Sequence, residues 1–118
     1  MFYYIYMVRC ADGSHYTGIT SHLNRRMHQH VEKLPECARY TRTHPVIALD
    51  GLWRAPDRSA ALRLEYAIKQ LRRREKLCLL ENPEELGKFF PQLKETDYVH
   101  VPGVTLEMCL RGEFGDGN

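Results

Sequence analysis

The stretch that decides the fold is YIYMVRCADGSHYTG, residues 4–18. Aromatic and β-branched residues predict a first strand over residues 3–10, and the same pattern resumes over residues 15–19. Asp12-Gly13 between them is a hairpin turn signal, so the two strands pair antiparallel. Alternate residues of a strand share a face, which puts Tyr6 on the face opposite Met7. The hairpin therefore folds Tyr16 back towards Tyr6 and brings two phenol groups together.

The segment after the hairpin predicts a helix from about His22 to Lys33, with Thr20 or Ser21 as its cap. Apolar residues recur there at every fourth position and give the helix a stripe that faces the core. Arg26 and His30 are four residues apart, so they lie on one face of this helix. The helix therefore presents a basic face that also carries a histidine.

The middle of the chain predicts one more strand and two helices. The strand covers residues 46–53, with a bulge at Asp50-Gly51. Apolar positions at helical intervals predict a helix over residues 58–71, begun by Asp57 or Ser59. A shorter helix over residues 73–81 follows, and its leucines are expected to close the core: Leu77, Leu79 and Leu80.

The order β-β-α-β-α-α predicts an α+β domain over residues 1–81, in which helices flank a small, mainly antiparallel sheet of three strands. Residues 82–118 form an acidic C-terminal extension. Its strand-like runs, 98–101 and 104–110, are joined by Pro102-Gly103 and predict a second hairpin. We expect the last residues, 112–118, to be disordered.

Charge and composition limit the class of protein. The chain has 118 residues and a net charge of +2, enough for one domain with a modest core. Residues 1–80 carry a balance of +7 and residues 81–118 a balance of −5, so the first part suits a polyanion. No apolar run approaches the roughly 20 residues that cross a bilayer, and no signal peptide is visible, so we expect a cytoplasmic protein that does not associate with membranes. The four cysteines form no Cys-x-x-Cys pair, which predicts free thiols and no zinc site.

Five elements of this sequence together resemble the GIY-YIG endonuclease superfamily. They are Tyr4-Ile5-Tyr6, Tyr16-Thr17-Gly18, Arg26, His30 and Glu65. The tripeptides are weak signals alone, whereas their spacing with the three later residues is fairly specific. The resemblance covers about residues 3–78 and is closest to the small single-domain, URI-type branch. It implies the same α+β fold and an activity that cleaves nucleic-acid phosphodiesters.

The resemblance implies roles for five residues. Glu65 would hold a divalent cation, and one carboxylate suits Mg²⁺ (or Mn²⁺), which keeps several waters. Arg26 would stabilise charge on the phosphate, because its guanidinium binds two oxygens and stays protonated. Tyr6 is the first choice as general base, with Tyr16 orienting it or sharing the role, and the sequence leaves this open. His30 would contact the phosphate, relay a proton or hold Tyr6 in place.

Basic and aromatic residues around these positions predict a nucleic-acid contact surface: Arg9, Arg25, Arg39, Tyr40, Arg42 and Lys69. Guanidinium groups beside an aromatic ring suit contacts with phosphates, sugars or bases. A structural role is equally open, in which Tyr40 packs on the sheet and the arginines are only solvated.

Two functions of different classes follow. The first is a metal-dependent DNA endonuclease that nicks structured or damaged DNA, as DNA repair or recombination requires. The second is a noncatalytic nucleic-acid-binding module with a basic face. In this second function the acidic extension would modulate access to that face, and in either function it could bind a protein partner.

Overall fold

A computed structural model describes residues 2–114 of the chain. Its strands are β1 (Tyr3–Cys10), β2 (His15–Thr20), β3 (Val46–Ala55) and β4 (Val99–His100). They form one antiparallel sheet in the order β2-β1-β3-β4. The helices are α1 (Leu23–Val31), α2 (Arg39–Thr43), α3 (Arg58–Lys69), α4 (Arg73–Glu81), α5 (Leu86–Phe89) and α6 (Leu106–Leu110). The predicted α+β class is confirmed, and the sheet has four strands where the sequence predicted three.

The two faces of β1 build two separate hydrophobic clusters. Ile5 and Met7 face a cluster that includes buried residues of α3 and α4. Tyr4, Tyr6 and Val8 face the other, which includes buried residues of α1 and α6. The alternation of side chains read from the sequence is therefore confirmed, and the sheet is enclosed by helices on both sides.

Local signals fixed several element bounds. In the pairing of β1 with β3, Met7 lies opposite Gly51 and Val8 opposite Leu49, which makes Asp50 the extra residue of the predicted bulge. The Asp57 side chain accepts a hydrogen bond from the Ala60 N–H at 2.8 Å and caps α3, as predicted. The first helix is shorter than the predicted His22–Lys33, because Lys33 adopts a positive φ of 53° and ends it.

The predicted second hairpin is wrong. Val99–His100 is indeed a strand, but residues 106–110 form α6 because the Thr105 side chain accepts a hydrogen bond from the Met108 N–H and caps a helix. Leu106 and Cys109 then bury against the α1 side of the sheet. The prediction of disorder over residues 112–118 falls largely outside the described residues, which end at 114.

The extension packs into the same core as the rest of the chain. Leu86, Phe90 and Tyr98 are buried in the cluster below α3, and the Tyr98 hydroxyl donates to the Ala60 carbonyl at 2.8 Å. Of the three leucines assigned to core closure, only Leu79 is fully buried; Leu80 is half-buried and Leu77 is 43% exposed. Residues of the extension therefore shield the rest of this cluster from solvent. Within residues 2–114 no helix has the length and apolar character to cross a membrane.

Candidate active site

The candidate site forms where β1, β2 and α1 meet. β1 presents Tyr6 and β2 presents Tyr16, and their ring centroids lie 6.5 Å apart. α1 presents Arg26 and His30 from one face, as their spacing predicted. Gly18 lies directly opposite Tyr6 in the β1–β2 pairing. Its missing side chain leaves room for the Tyr6 phenol, because a Cβ there would lie 2.4 Å from Tyr6 Oη.

Hydrogen bonds hold the Tyr6 phenol in place. Its oxygen lies 2.7 Å from Nε2 of His30 and 3.3 Å from Nε of Arg26. The ring is 1% exposed, so water has almost no access to it. Burial raises the pKa of Tyr6 far above its usual value. The charges of Tyr16 and Glu65 act in the same direction, and the Arg26 guanidinium acts against them.

The hydrogen-bond network assigns the proton positions in this cluster. The Thr41 hydroxyl donates to the Ala38 carbonyl at 3.1 Å, so its oxygen accepts from Nδ1 of His30 at 2.7 Å. His30 then carries its proton on Nδ1 and accepts at Nε2. The Tyr6 hydroxyl therefore donates to His30, while the Arg26 guanidinium donates to the Tyr6 oxygen. The result is a directed chain that runs from Arg26 through Tyr6 and His30 to Thr41.

Arg26 is fixed on three sides by the protein. Besides its bond to Tyr6, Nη1 donates to Gln29 Oε1 at 2.7 Å and to the Glu36 carbonyl at 2.6 Å. Within the described part of the chain its Nη2 has no hydrogen-bond partner. The guanidinium is thus held in one orientation with one nitrogen left for a ligand.

Glu65 reaches the site from α3, which contacts the edge strand β2. Its Oε2 lies 3.3 Å from the Lys69 ammonium, and the carboxylate is 17% exposed. The same ammonium lies 5.5 Å from the centre of the Tyr16 ring. Lys69 thereby connects Glu65 to the tyrosine pair.

One carboxylate is a sparse donor set for a metal ion. Among residues 2–114, no cluster of three or more His, Cys, Asp or Glu side chains is arranged to hold an ion. Glu65 fits a hard cation that keeps most of its water and takes its other oxygens from a bound phosphate. The donor set fits Mg²⁺ or Mn²⁺ if water and phosphate supply the other oxygen ligands.

The residues predicted to contact nucleic acid divide into three groups. Arg25, Arg39 and Arg42 are exposed, and Nη2 of Arg42 donates to the Pro35 carbonyl at 3.0 Å. Arg9 pairs with Asp50 at 3.2 Å, and Lys69 pairs with Glu65. Tyr40 packs on the sheet, parallel to the Tyr16 ring at 5.9 Å.

Sequence reasoning missed the residues that orient the site. Thr41 is fully buried and sets the tautomer of His30. Gln29 and the Glu36 carbonyl fix Arg26. No local pattern marks Thr41, since it lies eleven residues from His30 on a separate short helix. Gln29 carries a weak signal, because a residue three positions after Arg26 shares its helix face.

We expect His30 to stay neutral far below the usual histidine range. Burial lowers the pKa of His30 to about 4, with the Arg26 guanidinium acting in the same direction. The unfolded chain takes up this proton near pH 6.5, so His30 favours the folded state fully above pH 6.5. The contribution is lost as the pH falls towards 4, by up to about 3 kcal/mol.

The measurement is a histidine NMR titration alongside urea unfolding at several pH values. His28 provides an internal control, because its hydrogen bond to Glu32 raises the pKa of that imidazole. A His30 resonance that titrates near pH 6.5 would contradict the buried, neutral assignment.

Comparison with known proteins gives this geometry a context. Residues 2–77 match the GIY-YIG catalytic domain family. A UPF0213 protein from Fusobacterium nucleatum is 34% identical over 88 residues, covering 75% of this chain and 86% of that protein. The UPF0213 protein YhbQ of Salmonella paratyphi B is 40% identical over 92 residues, covering 78% and 90%.

A solved structure is also similar. It is the solution NMR structure of a UPF0213 protein from Bacillus halodurans, which is 35% identical and has a TM-score of 0.47. The match covers 80% of this chain and 98% of that one. The family match spans more than half of the chain and contains all five residues of the candidate site. This protein therefore belongs to the GIY-YIG superfamily, in its small single-domain branch.

Proposed function

We propose that this protein is a metal-dependent endonuclease that hydrolyses phosphodiester bonds in DNA and nicks structured or damaged duplexes. The observation that carries the proposal is the convergence of Tyr6, Tyr16, Arg26 and His30 from three elements, with Glu65 at the rim. A structural cluster would not need an unpartnered guanidinium nitrogen or a carboxylate beside it. Both are what a phosphate and its counter-ion would use.

Arg26 binds the scissile phosphate in this proposal. Its other donors are held by Tyr6, Gln29 and the Glu36 carbonyl, so the guanidinium is fixed and Nη2 is left to donate to the phosphate. A fixed donor stabilises charge that develops on the phosphate without first paying for its own reorganisation.

Accessibility favours Tyr16 over Tyr6 as the group that takes a proton from water. The Tyr6 hydroxyl is buried and already donates to His30. Tyr16 is half-buried, and its hydroxyl has no hydrogen-bond partner within residues 2–114. Tyr6 and His30 would then position Arg26 and Tyr16 instead of reacting with water.

Glu65 would hold the divalent cation, Mg²⁺ or Mn²⁺. The bound ion supplies positive charge for the phosphate and for the departing 3′ oxygen. When no ion is present, the Lys69 ammonium pairs with the same carboxylate, so a metal ion would have to compete with Lys69 for Glu65. Weak metal binding in the absence of DNA is the consequence.

The test is nicking of supercoiled plasmid, flap and branched DNA with Mg²⁺ or Mn²⁺. We expect Tyr16→Phe to lower the nicking rate about 100-fold or more, the usual range for a general base. Arg26→Gln should lower it by a similar factor, since it removes a donor to the developing charge. DNA affinity, measured separately by fluorescence anisotropy, should change far less in both variants.

Tyr66→Phe is the matched control, because Tyr66 is 69% exposed on α3 and outside the cluster. It should nick at the wild-type rate. If the wild type binds these DNAs yet nicks none of them with either ion, the protein is the noncatalytic binding module. Binding of a protein partner through the C-terminal extension stays a prediction.

A further inference from the structure

A cationic pocket lies next to the candidate active site. It measures about 290 Å³ and is lined by Gly13, Ser14, His15, Tyr40, Arg73 and Lys76. We propose that this pocket binds a second backbone phosphate of the DNA strand, two or three linkages from the one that is cleaved. The proposal rests on the proposed function, because it takes the substrate to be a polynucleotide.

Two unpaired cations carry the argument. Arg73 and Lys76 are three residues apart on α4, so they lie on one face of that helix. In the part of the chain described here, neither side chain has an ion pair or a hydrogen bond. Arginine and lysine that close on one pocket without a carboxylate partner leave a local excess of positive charge. A phosphate oxygen is the ligand that would satisfy it.

The hairpin turn shapes the floor of the pocket. Gly13 has a φ of +85°, and a Cβ on it would lie 3.3 Å from Nη2 of Arg73. The guanidinium therefore rests against the turn. The nearby Asp12 carboxylate accepts hydrogen bonds from the Ser14 N–H at 3.0 Å and from the Ser14 hydroxyl at 2.6 Å. The Asp12 charge therefore lies beside the Ser14 lining of the pocket, and the two cations Arg73 and Lys76 outweigh it.

Tyr40 joins the pocket to the active site. Its hydroxyl donates to Ser14 Oγ at 2.6 Å on the pocket side, and its ring lies parallel to that of Tyr16 at 5.9 Å. Tyr16 in turn lies 6.5 Å from Tyr6. The pocket is thus separated from Tyr6 by two ring-to-ring steps, of 5.9 and 6.5 Å between centroids, a span that a few consecutive nucleotides of one strand can cover.

The test uses the full-length Glu65→Gln protein, so that bound DNA is not cut. The pocket variant adds Arg73→Gln and Lys76→Gln. The control variant adds Arg58→Gln and Arg74→Gln, which remove the same charge from exposed residues outside the pocket. Affinity for a fluorescent flap duplex is measured at several KCl concentrations. We expect the salt slope to fall by about 1 in the pocket variant and to stay unchanged in the control.

A methylphosphonate scan then locates the phosphate. Each linkage of the flap duplex is made neutral in turn, and affinity is measured again. A linkage two or three positions from the cleaved one should weaken binding by the parent protein and have no effect on the pocket variant. The proposal is overturned if the pocket variant keeps its sensitivity at that linkage, or if the control loses as much salt dependence.

A third arm separates an internal phosphate from a terminal one. Flap duplexes with a 5′-phosphate and with a 5′-hydroxyl should bind equally, and a preference for the 5′-phosphate that only the pocket variant loses would overturn the assignment. Nicking by the wild type is scored independently. A wild type that nicks while the pocket variant binds normally would reject the pocket alone, whereas pocket-dependent binding without any nicking would reject the nuclease alone.

Discussion

Glu65→Gln is expected to lower nicking by a factor of about 1,000 or more while leaving the fold intact. The carboxylate is the ligand through which the divalent cation would be held, and metal stabilisation of transition-state charge is worth several kcal/mol. Glutamine keeps the shape of the side chain and can still accept a hydrogen bond from Lys69. The lost ion pair between residues 65 and 69 is partly exposed and accounts for about 0.5 kcal/mol of stability at most.

The measurement is the initial nicking rate as a function of Mg²⁺ and of Mn²⁺ concentration, with urea unfolding as the check on stability. Raising the concentration of either ion should not restore the rate, because the glutamine amide lacks the negative charge that would hold the cation. Glu107→Gln is the control: this exposed carboxylate on α6 should tolerate the same change with no effect on the rate. Wild-type activity in Glu65→Gln would remove the metal role from this residue.

The part of the fold predicted from sequence is the part with strong local signals. The hairpin at Asp12-Gly13 and the bulge at Asp50-Gly51 each need only a few neighbouring residues to specify them. The fourth helix runs over Arg73–Glu81 as its apolar pattern and Asn82-Pro83 predicted. In each case the residues of one short stretch are enough to determine the local structure.

The failure in the extension has a physical reason as well. Residues 104–110 alternate polar and apolar types closely enough to resemble a strand, yet Thr105 caps a helix by accepting from the Met108 N–H. Leu106 and Cys109, three residues apart, then face the same cluster as α1. The segment folds as a helix because its apolar face then buries the apolar residues of α1 on that side of the sheet. That packing partner lies far away in the sequence, so the segment itself gives no sign of it.

The candidate site divides in the same way. Spacing within α1 predicted that Arg26 and His30 would share a face, and the hairpin predicted that Tyr16 would return to Tyr6. Thr41 and the pocket residue Arg73 come from elements whose distance from the site is set only by the packed fold. Sequence reasoning therefore found the residues that share a helix face or a hairpin, and missed those that only tertiary packing brings to the site.

The second large effect is expected at Gly18. A Cβ at this position would lie 2.4 Å from Oη and 2.6 Å from Cζ of Tyr6, well inside contact distance. The Tyr6 ring cannot swing away freely, because it is buried and bonded to His30 and Arg26. Gly18→Ala should therefore break both hydrogen bonds, at about 1 kcal/mol each, and overpack the cluster. We expect a loss of about 2–4 kcal/mol in the free energy of unfolding and near-complete loss of nicking, measured by urea unfolding and by the plasmid assay.

Gly51→Ala separates loss of stability from loss of the site. Its Cβ would lie 2.7 Å from Leu80 Cδ2 and 3.0 Å from Trp53, on the opposite side of the sheet from Tyr6. This variant should also be destabilised, yet it should nick normally at temperatures where it is folded. Combining Gly18→Ala with Tyr6→Phe removes the closest atom, so the double variant should be more stable than the two single losses predict. Strict additivity of those losses would mean that the phenol of Tyr6 does not occupy the space that Gly18 leaves, and the geometry of the whole cluster would have to be revised.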